Sequence, residues 1–279
     1  MDETARRWRD ALLESIEPYR KLPVLLSAGM DSLTLYAALV ELGERPDCVT
    51  YRLGVYPSED VDMVERVTRD HGSRLCVTIL PADRQSIERD VRSVVRFLGT
   101  GRKTAVECAV PITYMARALY RHDYDTALLG DPGIVEDNRM FSVGVNTDGE
   151  TEYWREWRRA RMLERDDQVV NGSRAMVLAA ESEGLTLARP FGEEPVVSVG
   201  LSIPVAEMNS PRQKGIALRA FPRFFGYPDD VRYWRRNKSL QSASHLRDVY
   251  HEAFGVGPKQ VAAVYARLLV EETRQERLW

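Results

Sequence analysis

LPVLLSAGMDSLTLYAALVELG, residues 22–43, reads as a buried strand, a turn of small residues and an apolar helix. Leu22, Val24, Leu25 and Leu26 make the strand, and Ser27, Ala28 and Gly29 end it. Asp31 stands near the helix start and Gly43 stops it. The same alternation repeats downstream. PDCVTYRLG (46–54) predicts a second strand, EDVDMVERVTRDHG (59–72) a helix ending at Gly72, and SRLCVTILP (73–81) a third strand bounded by Pro81. Helices follow over 83–98 and 104–121 around the Gly-Thr-Gly turn at 99–101, then TALLGD (126–131) supplies a fourth strand. Upstream, Trp8, Leu12, Leu13, Ile16 and Tyr19 lie at helical spacing, which predicts an amphipathic helix over 4–20. Strands alternating with helices predict a parallel sheet covered on both faces, a Rossmann-like, doubly wound α/β fold.

After Asp148 and Gly149 the pattern becomes mainly helical, with helices expected at 152–170, 173–184, 212–220, 243–254 and 258–275. Between them runs a stretch punctuated by Pro190, Pro195, Pro204 and Pro211. The expected division is an α/β nucleotide domain over 1–150 and a helical C-terminal region over 151–279 that completes the active site. The 279 residues, 44% of them hydrophobic, are enough for a proper core. A net charge of −3 gives no global drive toward nucleic acid or anionic membrane.

Cys48, Cys76 and Cys108 form neither a CxxC pair nor a zinc knuckle, and the four histidines add no ligand cluster. The cysteines read as small buried hydrophobes in a reducing compartment. The charged N-terminus lacks an apolar signal core, and no run approaches the roughly 18 apolar residues of a membrane helix. A soluble, cytoplasmic protein is expected.

The residues that carry chemistry are Ser27, Ala28, Gly29, Met30, Asp31 and Ser32, between the first strand and its helix. In open parallel sheets ligands gather at the carboxyl ends of strands, where a helix start offers N–H groups and partial positive charge. Small residues let the main chain approach an anion closely, and two hydroxyls add donors. On the residues alone, the alternative is a plain strand-to-helix turn with Asp31 as the cap. No lysine follows as in a Walker loop, and the spacing is not GxGxxG.

The loop resembles the SGGxDS pyrophosphate loop of the N-type ATP pyrophosphatases, the PP-loop superfamily whose adenine nucleotide alpha hydrolase-like domains split ATP between the α and β phosphates. Ala28 replaces the second glycine, which requires negative φ there and a methyl turned away from phosphate. Downstream, 165–204 resembles the asparagine synthase stretch ending in RxPFLD and lslP, Lys214 to Arg219 resembles that family's GK…LR helix, and Arg236 to Ser239 its RxK signature. Gly130 and Asp131 fall at the start of its GDGADE loop. Leu53 falls where that family's main chain meets adenine. The resemblance runs from about residue 20 to about 255 and identifies the chain with the synthetase domain of asparagine synthases.

That resemblance implies ATP and Mg²⁺ as cofactors, with Asp31 and Asp131 at the metal and Ser27, Ala28, Gly29, Asp31, Ser32, Leu53, Gly130 and Lys214 around the nucleotide. It implies that Lys238 contacts the phosphates and the reacting acyl-adenylate. Taken alone, Lys238 beside Arg232, Arg235 and Arg236 reads rather as solvated basic surface, and Lys214 equally as a solvent-facing helix lysine or a ligand. The family's glutaminase domain begins with a catalytic cysteine, and here position 2 is Asp2. Nitrogen is therefore expected as free ammonia, as an amine, or from a separate amidotransferase.

The family's catalytic glutamate and arginine before PFLD fall at Thr186 and Ala188, and Glu193 replaces the aspartate. The acidic pair of GDGADE falls two residues late, at Glu136 and Asp137. Those two and Glu193 are the candidate bases, and the second substrate is expected to differ from the family's usual one. An ATP-dependent, AMP-forming carbon–nitrogen ligase acting on a small carboxylate follows. A competing reading takes the arginine–aromatic stretches at 154–165 and 232–236 as contacts to a tRNA or DNA base. An amphipathic helix with its tryptophans inward explains the first equally well and is preferred. A degenerate nucleotide-binding protein is the third reading.

Overall fold

A computed structural model describes residues 2–130, 156, 172–203, 216–225 and 244–276. The chain opens with helix α1 (Glu3–Ile16), capped by Asp2, whose carboxylate accepts from the Ala5 N–H. Its buried residues Ala5, Trp8, Leu12, Ser15 and Ile16 recur at three- and four-residue spacing, as the sequence predicts. Strand β1 (Val24–Leu25) leads into helix α2 (Met30–Glu41), β2 (Cys48–Leu53) into α3 (Glu59–His71), and β3 (Leu75–Leu80) into α4 (Arg84–Leu98) and α5 (Lys103–Tyr120). Strand β4 (Thr126–Leu129) follows, and Gly72 and Gly99 end α3 and α4 in left-handed backbone.

Beyond residue 171 the chain forms helix α6 (Gly172–Glu181), strand β5 (Thr186–Ala188), helices α7 (Glu194–Leu201), α8 (Ile216–Ala220), α9 (Pro222–Phe225), α10 (Leu246–Ala253) and α11 (Val261–Glu276). The five strands make one parallel sheet in the order β3-β2-β1-β4-β5. This is a Rossmann-like α/β fold with a mainly helical C-terminal part.

β5, α7 and α9 lie outside the sequence reading. Thr186 and Ala188, the positions aligned with the family's glutamate and arginine, pair with Thr126 and Leu128 in the sheet. The C-terminal region therefore contributes a strand as well as helices. The boundary expected near residue 150 lies outside the described residues. Pro195 reads as punctuation in sequence, yet it sits in the first turn of α7, where the missing N–H costs no helical bond.

The sheet divides its side chains by the period of two. Val24, Leu26, Cys48 and Leu128 enter the core beneath α1, α2, α3, α7 and α8, while Leu25, Val49, Tyr51, Leu53, Ala127 and Leu129 enter the core beneath α4, α5, α6, α10 and α11. Each core is continuous, as a sheet covered on both faces requires. The winding reverses between β1 and β4, because β2 and β3 lie to one side of β1 and β4 and β5 to the other. The carboxyl ends of β1 and β4 are therefore the topological switch point, where ligands gather in open parallel sheets.

Candidate active site

The exits of β1 and β4 meet at this switch point. Leaving β1, the chain runs through Leu26, whose N–H still donates to the Val49 carbonyl at 2.8 Å, into the 27–32 loop. Gly29, in extended backbone (φ −71°, ψ 148°), occupies the position before α2 and makes no side-chain cap. Asp31 lies inside the first turn and is not the capping residue, so the capping role that the sequence offered for it is not the one it takes. The first hydrogen bond of the helix runs from the Leu33 N–H to the Gly29 carbonyl at 3.1 Å. Helix geometry leaves the preceding N–H groups without acceptors inside the helix.

The loop holds its own shape. Ser27 N–H donates to Ser32 Oγ (3.1 Å), the two seryl oxygens share a hydrogen bond at 2.8 Å, and the Ser32 hydroxyl lies 2.9 Å from the Ser27 carbonyl it donates to. Gly29 N–H donates to Ser27 Oγ at 3.2 Å, and a Cβ on Gly29 would come within 3.1 Å of that oxygen. Ala28 N–H donates to Asp60 Oδ1 at 2.9 Å.

The departure at Ala28 is accommodated. Among the described residues only Asp123 and His245 combine a side chain with positive φ, so Ala28 meets the backbone condition. Its methyl is 1% exposed and belongs to the core beneath α1 and α2.

Gly130 follows β4 and lies directly against this loop. A Cβ there would stand 2.4 Å from Ser32 N and 2.5 Å from Ser32 Cα. Only a glycine lets the β4 exit lie this close to the start of α2. The carboxyl end of β2 reaches the same edge of the sheet. Leu53 buries its side chain completely, its carbonyl accepts from the Tyr56 N–H at 3.0 Å, and Gly54 follows in left-handed backbone.

Glu193 is placed elsewhere. It sits immediately before α7 and accepts from the Tyr19 hydroxyl at 3.5 Å, on the segment entering β1. No described hydrogen bond or ion pair joins it to the 27–32 loop. Asp131, Glu136, Asp137, Lys214 and Lys238 lie outside the described residues, as do the arginine–aromatic stretches at 154–165 and 232–236, Glu156 apart.

Asp60 is the functional candidate that the sequence reading missed. It stands among Glu59 and Asp62 in the first turn of α3, where acidic residues are ordinary partners of the helix dipole. The available signal was its phase. Asp60 shares the buried stripe with Val64, Val67 and Thr68, and a carboxylate on that stripe needs a polar partner indoors.

Among the described residues no three His, Cys, Asp or Glu side chains gather to cage a metal. Mg²⁺ commonly takes one or two carboxylates plus substrate phosphates, so Asp31, 8% exposed beside the loop, has the oxygen chemistry that ion uses. Among the described residues no helix is long and apolar enough to cross a membrane. Residues 7–133 match the family model described as asparagine synthase, a span running from within α1 to just past Gly130. No curated protein matches the chain.

Proposed function

We propose that the protein is an AMP-forming, ATP-dependent amide ligase, on the match of residues 7–133 to the asparagine synthase family model, an ATP-using ligase family. The observation that carries the proposal is the convergence of the 27–32 loop and Gly130 at the sheet's reversal point, where a Cβ on residue 130 would come 2.4 Å from Ser32 N. Such closeness makes one continuous main-chain floor from the ends of two neighbouring strands. Polyphosphate is the ligand that such a floor, at a helix start with small residues and hydroxyls, suits best.

In this reading ATP lies along the carboxyl edge. The adenine meets the main chain at Leu53, and the β and γ phosphates meet the loop and the first turn of α2. Ser27 and Ser32, whose hydroxyls bond each other, can rotate to donate to phosphate oxygens. Asp31 and Asp131 would hold Mg²⁺, which neutralises phosphate charge when bound. Lys214 borders the nucleotide. A substrate carboxylate attacks the α-phosphorus, and pyrophosphate leaves with the bond between α-phosphorus and bridging oxygen broken. Lys238 offsets the negative charge that develops in that step, the kind of placed charge that contributes most to such reactions. Ammonia or an amine then displaces AMP from the acyl group and gives the amide, with its proton passing to a carboxylate base. Glu136, Asp137 and Glu193 are the base candidates, Glu193 accepting from Tyr19 on the segment that enters β1.

The test is product analysis with ATP labelled at the α-phosphate, Mg²⁺, and pools of carboxylates and amines. Labelled AMP from the wild type, lost in Asp31→Ala and Lys238→Ala, is expected. Labelled ADP would overturn the assignment.

A further inference from the structure

The sheet ends on two strands of unlike length. β5, of three residues, is a blunt edge, whereas β3 presents six, Leu75-Cys76-Val77-Thr78-Ile79-Leu80, with no charge, proline or glycine among them. Edge strands of monomeric sheets are usually shortened, charged or covered against pairing with another chain. β3 has none of these protections: Ile79 is 55% exposed, and Leu75, Cys76, Val77 and Thr78 are half-buried. The Arg74 and Leu80 carbonyls accept from the Cys48 and Gly54 N–H groups at 2.9 and 2.7 Å, so the even-numbered residues turn their main-chain groups toward β2. Leu75, Val77 and Ile79 turn theirs outward, where among the described residues none of these N–H and C=O groups meets a partner.

We propose that β3 pairs with β3 of a second copy of this chain, antiparallel about a two-fold axis at Val77, so that two five-stranded sheets become one continuous sheet. A second copy is the occupant because the edge is complementary to itself. Only registers that set odd residues opposite odd residues let the outward groups meet. The register about Val77 uses every one of them: Val77 faces its own counterpart, and Leu75 of each copy faces Ile79 of the other. Moving the axis to Cys76 would set Ile79 against Ser73, outside the strand, and moving it to Thr78 would set Leu75 against Pro81, which has no N–H. The Val77 register also covers the exposed Ile79 with an apolar side chain. Charge agrees with it. Arg74, its side chain 83% exposed although paired with Asp47, precedes β3, and Asp83, at the start of α4, follows it. Antiparallel pairing brings the Arg74 end of one copy to the Asp83 end of the other, a two-fold contact of the commonest kind in homo-oligomers.

Analytical ultracentrifugation of the whole chain at micromolar concentrations is expected to show a reversible dimer. Val77→Pro removes the central N–H, a change that an outward-facing edge position tolerates within its own sheet. Its dimer dissociation constant should rise by about tenfold or more, since each copy loses one hydrogen bond of the seam. Ile79→Lys places a charge on the same edge, at a side chain already exposed, and should weaken the dimer likewise. Thermal unfolding verifies that both variants are folded. Crosslinking reads the register. Thr78→Cys sets a thiol opposite Cys76 of the second copy, in a non-hydrogen-bonded pair whose Cα separation of about 4.5 Å admits a disulfide. Under mild oxidation this variant should form a covalent dimer, and Thr78→Cys combined with Cys76→Ser should not. A wild type that stays monomeric throughout overturns the proposal, as does a dimer that both edge variants leave intact. A dimer that Thr78→Cys fails to crosslink, or one joined in the wild type through its two Cys76 thiols, overturns the Val77 register.

Discussion

The two faces of the sheet bury their ionisable groups differently. Beneath α2 and α3 the buried pair is Asp31 and Asp60, two carboxylates beside the 27–32 loop, with Asp60 bonded to a main-chain N–H. Beneath α5 and α10 it is Glu107 and His251, 3.2 Å apart, with Arg247 at 3.8 Å from Glu107. The second pair satisfies itself and ties α10 to α5. The first pair lies at the 27–32 loop, to which the proposed function assigns polyphosphate, and Asp60 ties the start of α3 to that loop. Buried polar side chains on one face thus hold the candidate loop, and on the other they link two helices, although both sets are hidden from water.

The largest expected effect comes from Gly130→Ala. Its methyl would strike Ser32 N and Cα, main-chain atoms that cannot turn aside. MgATP affinity, measured by calorimetry, should fall on the order of 100-fold. Wild-type affinity in this variant would show that the β4 exit and the loop do not act as one floor. Next comes Trp8→Ala, on the face that carries the loop. Trp8 is completely buried and stacks on Phe191 with ring centroids 6.2 Å apart. Its loss should cost ~3–5 kcal/mol in urea unfolding.

The opposite face makes the pH prediction. Burial raises the Glu107 pKa above its ordinary value of 4.5, against opposing contributions from His251, Lys103 and Arg247. A carboxyl group with a raised folded-state pKa holds its proton more tightly when folded. Its contribution is therefore present at low pH and is lost as pH rises through the folded value. Glu107→Gln should remove that decline, so the melting temperature of wild type should fall relative to the variant as pH rises above 4.5. Parallel curves for the two proteins would show that His251 and Arg247 hold Glu107 charged throughout.

Two smaller effects sharpen the contrast. Tyr51 and Ser244 share a buried hydrogen bond at 2.9 Å, and Tyr51→Phe should destabilise by about 1 kcal/mol without altering nucleotide affinity. Ala28→Gly restores the family's residue but removes a buried methyl, so about 1 kcal/mol of stability should be lost. Pyrophosphate binding should not tighten, and a clear gain in affinity would show that the methyl meets phosphate after all.

Most of the fold could be read locally. Every helix and strand up to residue 130 falls within a few residues of its expected place, because each carries its own period and its own stop, such as Gly72 or Gly99. β5 escaped because three residues are too few to show alternation, and only Leu187 among them is buried. In the candidate site, the motif and its spacing singled out Ser27, Asp31, Ser32 and Gly130, which the structure brings together. Asp60 was not, since its partner is a main-chain N–H 32 positions away.

The alternation of apolar strands with amphipathic helices was sufficient in itself to specify an α/β chain, and the small residues, hydroxyls and carboxylate after the first strand marked the candidate loop. These properties depend on neighbours in sequence, through propensity, periodicity and helix-start geometry. Only the tertiary structure decided that β4 returns beside β1, that Gly130 touches the start of α2, and that Asp60 occupies the loop's donor. Each is a contact between distant segments, set by which strand pairs with which and by what the shared core can bury.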